Sequence, residues 1–319
     1  MPSMLICASH SPLLTTERPN EHDEVMSAFG RLRKTLESFD PELIVMFAPD
    51  HYTGVHMRMM PLFCVGASAR AVPGDFGGFP GAFDVPAEAA LELADALRRD
   101  RFDVAVSHDL EVDHGFSQPI HFLTGGLDRY PVIPIFTSII AGPRPSTARS
   151  RELGEAVGRF LASSGRRVAV IGSGGLSHDP SPLFPDFAAT GEGVHQYQLH
   201  GPGSKDLSRE AWLERVENLT LIGAKLYASG EAASPCRPDF DRRFLDTLSA
   251  GSLAEFDSWE NAWIVEQGGL GAAEVHFWIA AAAASQALGC DPPSVDYYAP
   301  VPAYGASVGL VHAGPTTGS

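Results

Sequence analysis

Short apolar runs of strand length alternate along the chain with longer stretches in which apolar residues recur at helical spacing. The strand-like runs lie at 4–8, 42–48, 57–67, 104–106, 130–136 and 167–171. Helical spacing is found at 22–38, 86–99, 147–164, 206–228 and 272–288. This alternation predicts an α/β fold with a mixed, largely parallel central sheet and helices on both of its faces.

Two parts of the chain lack such a pattern. Between 179 and 205, Pro and Gly are frequent and no period is clean, which predicts a long loop excursion. This excursion fits a lid over a site and a mobile surface segment equally well. The tail after 299 is rich in Pro and Gly and gives no positional signal. No internal repeat divides the chain, and its length fits one domain over residues 1–319 or two domains equally well.

The charge and composition of the chain indicate which kinds of partner it can bind. The 319 residues carry a net charge of −16, which argues against nucleic acid or an anionic membrane as a partner. No apolar segment approaches the length of a membrane span. The start, Met1-Pro2-Ser3, lacks the basic region of a secretory signal, so a cytoplasmic location is expected. The four cysteines have no CxxC spacing and are expected to be reduced and mostly buried.

Four histidines lie where α/β enzymes place their chemistry, just past a strand-like run or at the start of a helix. They are His10, His51, His114 and His178. The carboxyl ends of strands in an open α/β sheet converge in space, so residues there form sites although they are far apart in sequence. A lone histidine is more often a hydrogen-bonded structural residue, but four in this position favour a functional site.

His10 and His51 are candidate metal ligands. Two imidazoles and one carboxylate form the ligand set of non-haem Fe(II) oxygenases, and the same set can hold catalytic zinc with a water. The chain has no HExxH helix, so a zinc hydrolase lacks its usual local signature. Asp50, beside His51, is a candidate for orienting that ring.

Glu274 is the candidate carboxylate because it heads an almost wholly apolar helical stretch. Buried without a partner, it would have to pair with a cation or bind a metal. An exposed carboxylate favoured by the helix dipole fits the sequence equally well. The run Gly172-Ser173-Gly174-Gly175 lacks the ending of a P-loop and predicts a close approach of backbone to a ligand or a neighbouring turn.

Several ordered motifs together resemble the type III extradiol catechol dioxygenases, the superfamily of the protocatechuate 4,5-dioxygenase catalytic subunit. The matching segments are Ser9-His10-Ser11-Pro12, Ala48-Pro49-Asp50-His51-Tyr52, Val112-Asp113-His114-Gly115-Phe116, Gly172 to His178, and Glu274-Val275 followed by Trp278. The resemblance extends over nearly the whole chain and departs most in 179–270.

This resemblance implies that His10, His51 and Glu274 ligate Fe(II) and that His114 and His178 form an acid–base pair, with His178 as the base. It implies extradiol ring cleavage by O₂ of a catechol with a short acidic side chain, 3-(2,3-dihydroxyphenyl)propionate or its propenoate analogue. It also implies a homo-oligomer. Other catechol, aminophenol or gallate-like rings remain alternative substrates, and a metal-poor binding module of the same fold is an alternative of another class.

Overall fold

A computed structural model describes residues 2–314 and is built on eleven strands among those residues. In chain order the strands are β1 (Ser3–Ala8), β2 (Leu43–Ala48), β3 (Phe63–Gly66), β4 (Ala69–Ala71), β5 (Gly81–Ala82), β6 (Ala105–Ser107), β7 (Leu110–Val112), β8 (Val132–Thr137), β9 (Val168–Ser173), β10 (Ser294–Val301) and β11 (Ala306–Ala313). Eight of them form a central sheet in the order β10-β11-β1-β9-β2-β8-β3-β6, and β5-β4-β7 form a small second sheet.

The middle of the central sheet is parallel. Strand β9 pairs in parallel with β1 on one side and β2 on the other, and β2 pairs in parallel with β8. The antiparallel pairs are β1–β11, β10–β11 and β3–β8. The predicted mixed, largely parallel sheet is confirmed, and its four central parallel strands, β1, β9, β2 and β8, end at one edge.

Helices cover both faces of this sheet. They are α1 (His22–Phe39), α2 (Ala87–Arg99), α3 (His114–Thr124), α4 (Thr147–Ala162), α5 (Glu192–His200), α6 (Arg209–Ser229), α7 (Pro238–Ser249), α8 (Asn261–Gly268) and α9 (Val275–Ala287). Along β2, alternate residues face opposite sides, as the strand geometry requires. Leu43, Val45 and Phe47 pack with α2, α4 and α9, whereas Ile44 and Met46 pack with α1 and α3.

Two predictions of element bounds are wrong in part. The run 57–67 is a 3₁₀ turn at Met57–Met59 followed by the short strand β3. The segment 179–205 is not loop throughout, because α5 forms within it and buries Tyr197 completely. Packing against the rest of the protein stabilises this helix, although the helical pattern in its sequence is weak. The tail after 299, where no element was predicted, contributes the end of β10 and all of β11.

Over residues 2–314, no helix combines the length and apolar character that crossing a bilayer requires. The four cysteines are free and buried, as their spacing predicts.

Candidate metal centre and active site

The site lies at the edge of the sheet where the parallel strands β1, β9 and β2 end. His10 comes two residues after β1, and His51 comes three residues after β2. His178 follows β9, the strand between them. His114 opens α3, and Glu274 ends a 3₁₀ turn just before α9. Residues from five distant parts of the chain therefore face one another, as the sheet topology predicts.

The ring of His10 is held from behind by Ser173. Nδ1 of His10 lies 3.0 Å from Oγ of Ser173. The Ser173 hydroxyl donates its only proton to the Gly115 carbonyl at 2.5 Å, so it must accept from Nδ1. Nε2 of His10 therefore carries a lone pair and points towards the site, 3.8 Å from Oε2 of Glu274. Burial lowers the pKa of His10 to about 3, which keeps the ring neutral.

The ring of His51 is held by Asp113. Oδ2 of Asp113 accepts from the His51 backbone nitrogen at 2.6 Å and lies 3.1 Å from its Nδ1. On the other side of the ring, Nε2 lies 3.2 Å from Oε1 of Glu274. Burial opposes the charged form of His51, but the attraction of Asp113, reinforced by Glu274, raises its pKa well above the usual value. Without a metal, this imidazole therefore bridges two carboxylates.

Glu274 is completely buried, which settles the alternative left open by its sequence. Its Oε2 accepts a hydrogen bond from the Gly175 backbone nitrogen at 2.9 Å. Burial raises the pKa of Glu274, but the surrounding histidines, His10 first, lower it to about 2. A buried carboxylate that stays charged beside two imidazoles is typical of a metal site.

His114 stacks on His51, with ring centroids 4.7 Å apart and an interplanar angle of 9°. Behind the His114 ring lies the buried carboxylate of Asp75. Its Oδ2 accepts from the His114 backbone nitrogen at 2.6 Å and lies 3.1 Å from Nδ1. Nδ1 thus holds a proton, and Nε2 faces the site.

His178 is the most accessible imidazole of the group, with 14% of its side chain exposed. Its Nδ1 donates to the backbone carbonyl of Leu176 at 2.9 Å, which leaves a lone pair on Nε2. Nε2 lies 3.9 Å from Oε1 of Glu274. The ring is therefore placed to accept a proton from a molecule bound beside the carboxylate.

A single cavity of about 110 Å³ opens from these histidines and runs along an apolar wall. His10, His51, His114 and His178 line its inner end. The wall comes from α6 and from the segment directly after His178: Val216, Leu219, Gly223, Ala224, Leu183 and Phe184. Arg215 fixes this segment to α6 by donating to the Leu183 carbonyl at 2.6 Å. The cavity thus joins an imidazole–carboxylate centre to an apolar wall, and this combination of linings is typical of a small-molecule site.

Comparison with known families agrees with this geometry. Residues 4–309 match the family described as the catalytic LigB subunit of aromatic ring-opening dioxygenase. The chain belongs to this family.

Curated members of the ring-opening dioxygenase family resemble the chain over nearly its full length. A 2,3-dihydroxyphenylpropionate/2,3-dihydroxicinnamic acid 1,2-dioxygenase of Paraburkholderia xenovorans is 44% identical, over 99% of this chain and 98% of the relative. A protein of the same name from Mycolicibacterium vanbaalenii is also 44% identical, over 93% of each chain. A solved structure of an uncharacterized protein from Escherichia coli shares the fold, with a TM-score of 0.53, 12% identity and coverage of 97% and 98%.

The five site residues predicted in this dioxygenase come together, but one predicted partner does not. Asp50 does not orient His51, because its carboxylate accepts from the backbone nitrogens of Thr53, Gly54 and Val55 at 2.9–3.1 Å. Asp113 occupies the orienting position instead. The close backbone approach predicted at the glycine run is found at Gly174, where a Cβ would collide with Glu274.

Sequence reasoning missed Asp75, Asp113 and Ser173 as partners of the histidines. Asp113 was visible as the residue directly before His114, and Ser173 as the polar end of β9. Asp75 gave no such signal, because it lies in a glycine-rich loop 39 residues before the ring that it contacts.

The donor atoms allow more than one way of holding a metal ion. His10, His51 and His114 offer nitrogens that all lie within 4.8 Å of one another. Glu274 contacts the first two of these rings through its two oxygens. Imidazole nitrogens with a carboxylate oxygen suit a divalent transition metal, so this member of the dioxygenase family has a centre able to bind a metal cofactor.

Proposed function

We propose that the protein is an Fe(II)-dependent extradiol dioxygenase that cleaves 2,3-dihydroxyphenylpropionate, or its propenoate analogue, with O₂. The observation that carries this proposal is the single cavity that joins the imidazole–carboxylate cluster to an apolar wall. The names of the relatives support the substrate, because the chain aligns with them from end to end.

In this proposal His10, His51 and Glu274 are the metal ligands. Two imidazoles and a carboxylate fit Fe(II) and leave positions for substrate and O₂. Metal binding would displace the proton that the raised pKa of His51 keeps on its ring. The lone pair on Nε2 of His10 is already directed at the site by Ser173. Iron, when bound, would supply the redox chemistry that O₂ requires and a common point of attachment for both reactants.

His178 and His114 are proposed to move the protons. A catechol that attaches through both oxygens must lose protons, and Nε2 of His178 has the lone pair to accept one. His114, which lines the same cavity, is proposed to return a proton during ring opening. Phe184, whose ring centroid lies 5.3 Å from that of His51, helps to keep water from this end.

A catechol with an uncharged side chain is a second candidate substrate, and one observation favours it. Among the described residues that line the cavity there is no lysine or arginine. A buried carboxylate without a cation is costly, so the acidic end of the side chain is proposed to lie at the open mouth. On this basis 3-propylcatechol should be cleaved with kcat/KM within about tenfold of the acid, a difference of about 1.4 kcal/mol.

The first test is anaerobic reconstitution with Fe(II), addition of 3-(2,3-dihydroxyphenyl)propionate and then air, with the yellow ring-opened product followed by absorbance. Turnover supports the proposal. His114→Ala and His178→Ala should keep iron and lose about 10²-fold or more in kcat. An iron-loaded wild type that yields no product from this acid or from 3-propylcatechol would refute the proposed substrates. A fall of over a hundredfold with 3-propylcatechol alone would instead show that a cation recognises the acid.

One catalytic domain over residues 1–319 is also proposed, and the family match to 4–309 supports it. Homo-oligomeric assembly and a cytoplasmic location stay predictions from the sequence.

A further inference from the structure

Two histidines of the site are held by the same arrangement of atoms. Oδ2 of Asp113 meets the backbone nitrogen and Nδ1 of His51 at 2.6 and 3.1 Å. Oδ2 of Asp75 meets the same two atoms of His114 at 2.6 and 3.1 Å. A carboxylate in this position fixes which ring nitrogen keeps its proton and how the ring is turned.

Asp75 is itself held rigidly. It lies in the loop between β4 and β5, and only 6% of its side chain is exposed. A Cβ on Gly77 would collide with Pro12, and one on Gly78 with Oδ2 of Asp75, so the loop can pack this closely only with glycine there. The Gln118 side chain donates to the Gly77 carbonyl at 3.0 Å and ties the loop to α3.

Gln118 also holds the neighbouring His10 segment, so this one side chain links that segment to the Asp75 loop. Nε2 of Gln118 donates to the Ser11 carbonyl at 2.8 Å, and Oε1 accepts from the Ser11 backbone nitrogen at 2.9 Å. The position of Asp75 is therefore set by buried contacts on two sides. It can hold the His114 ring at one angle without relying on a bound ligand.

We propose that Asp75 is a positioning residue for proton transfer by His114. With Nδ1–H donated to Asp75, Nε2 is the only ring nitrogen that can exchange a proton with a molecule in the cavity. A proton that His114 accepts at Nε2 from a hydroxyl of the bound catechol is returned from the same atom to a substrate oxygen during ring opening, and the Nδ1 proton stays in its hydrogen bond to Asp75.

The kinetic part of this inference rests on the proposed function and is tested with a double-mutant cycle in iron-loaded enzyme. Asp75→Asn, which keeps the shape of the side chain, should lower kcat by about 10²-fold with KM within about twofold and iron content unchanged. Asp75→Asn added to His114→Gln should cause little further loss, because both changes remove the same proton transfer. Asp84→Asn, an exposed carboxylate change after β5, is the matched control and should behave as wild type.

A second readout does not depend on turnover. The ¹⁵N shifts of His114 in the metal-free protein should report the Nδ1–H tautomer in wild type, and a shift towards Nε2–H in Asp75→Ala. If the wild-type enzyme does not cleave the catechol ring, the proposed function is wrong. The tautomer of His114 still shows in that case whether Asp75 positions the ring. An unchanged tautomer in Asp75→Ala, or additive losses in the cycle, would overturn the inference. Loss of iron from Asp75→Asn would also overturn it, since His114 would then be a metal ligand.

Discussion

At the scale of single residues, every imidazole of the site has an oxygen acceptor behind its Nδ1. The four pairs are His10 with Ser173, His51 with Asp113, His114 with Asp75, and His178 with the Leu176 carbonyl. All four rings therefore present Nε2 to the cavity. The acceptors differ in charge: Ser173 and Leu176 offer neutral oxygens, and Asp113 and Asp75 offer carboxylates.

The pair of His10 and Ser173 gives the first prediction. Among the described residues Ser173 is the acceptor for Nδ1–H of His10, so Ser173→Ala should cost the ring its preferred tautomer. We expect iron affinity to fall about 10- to 100-fold, the usual cost of losing such a partner. Competition with a chelator measures this change.

A matched control exists in the same core. Ser285 on α9 is also buried, and its hydroxyl has no hydrogen-bond partner among the described residues. Ser285→Ala should therefore leave iron affinity unchanged and leave stability unchanged or improved. Equal iron affinity in Ser173→Ala and wild type would show that the serine does not orient the ligand.

At the scale of elements, the 3₁₀ turn before α9 fits closely around His178. A Cβ on Gly271, within this turn, would collide with Nε2 of His178. Gly271→Ala should therefore displace the ring and lower kcat at least tenfold, while iron content changes little. Stopped-flow absorbance at saturating substrate measures kcat, and metal analysis measures iron.

Another glycine provides the comparison. Gly193 in α5 has open space where a Cβ would lie, so Gly193→Ala should keep kcat and raise helix stability by up to about 1 kcal/mol. If Gly271→Ala turned over as fast as Gly193→Ala, the turn would not position His178.

The packing of His56 against α5 predicts how the stability of the protein changes at low pH. His56 lies against it, with its ring edge towards Tyr197 and Nε2 donating to the Tyr52 carbonyl at 3.1 Å. Burial lowers the pKa of His56 from 6.5 to about 4, with Arg209 adding to the effect and Glu111 opposing it. Between these pH values the unfolded chain binds more protons at His56 than the folded chain does.

The free energy of unfolding should therefore be at its full value above pH 6.5 and decrease as pH falls towards 4. This one group contributes at most about 1.4 kcal/mol per pH unit. Urea unfolding of wild type and His56→Phe at several pH values tests this, because the variant cannot take up the proton and should lose less stability in acid. If the free energy of unfolding fell equally with pH in wild type and in His56→Phe, groups other than His56 would account for the loss of stability in acid.

The sequence predicted those helices in which apolar residues recur at helical spacing. Helix α1 was expected at 22–38 and runs from His22 to Phe39, and α4 was expected from 147 and begins at Thr147. Helix α5 was missed because its stability comes from burying Tyr197 against Trp212, with ring centroids 4.6 Å apart. Residues that follow strands could be predicted as a site, whereas Asp75 reaches His114 only through loop packing that no local pattern encodes.

At the scale of the whole molecule, the site joins parts of the chain that are far apart. His10 follows β1, His51 follows β2, and Glu274 lies before α9, which packs on both strands. A metal held by these three residues would therefore link the beginning of the chain to its last long helix. Metal binding should then stabilise the whole fold and not a single loop.

Metal-dependent stability also decides between the two possible ligand sets. Fe(II) added anaerobically at about 100 times its Kd should raise the free energy of unfolding by about 2.7 kcal/mol. If His10, His51 and Glu274 bind the metal, Glu274→Ala should lose this increment and His114→Ala should keep it. Thermal unfolding with and without a chelator measures both variants, and the exposed change His200→Gln serves as control. The opposite result, with the increment lost in His114→Ala and kept in Glu274→Ala, would assign the metal to the three imidazoles and leave Glu274 as their buried counter-charge.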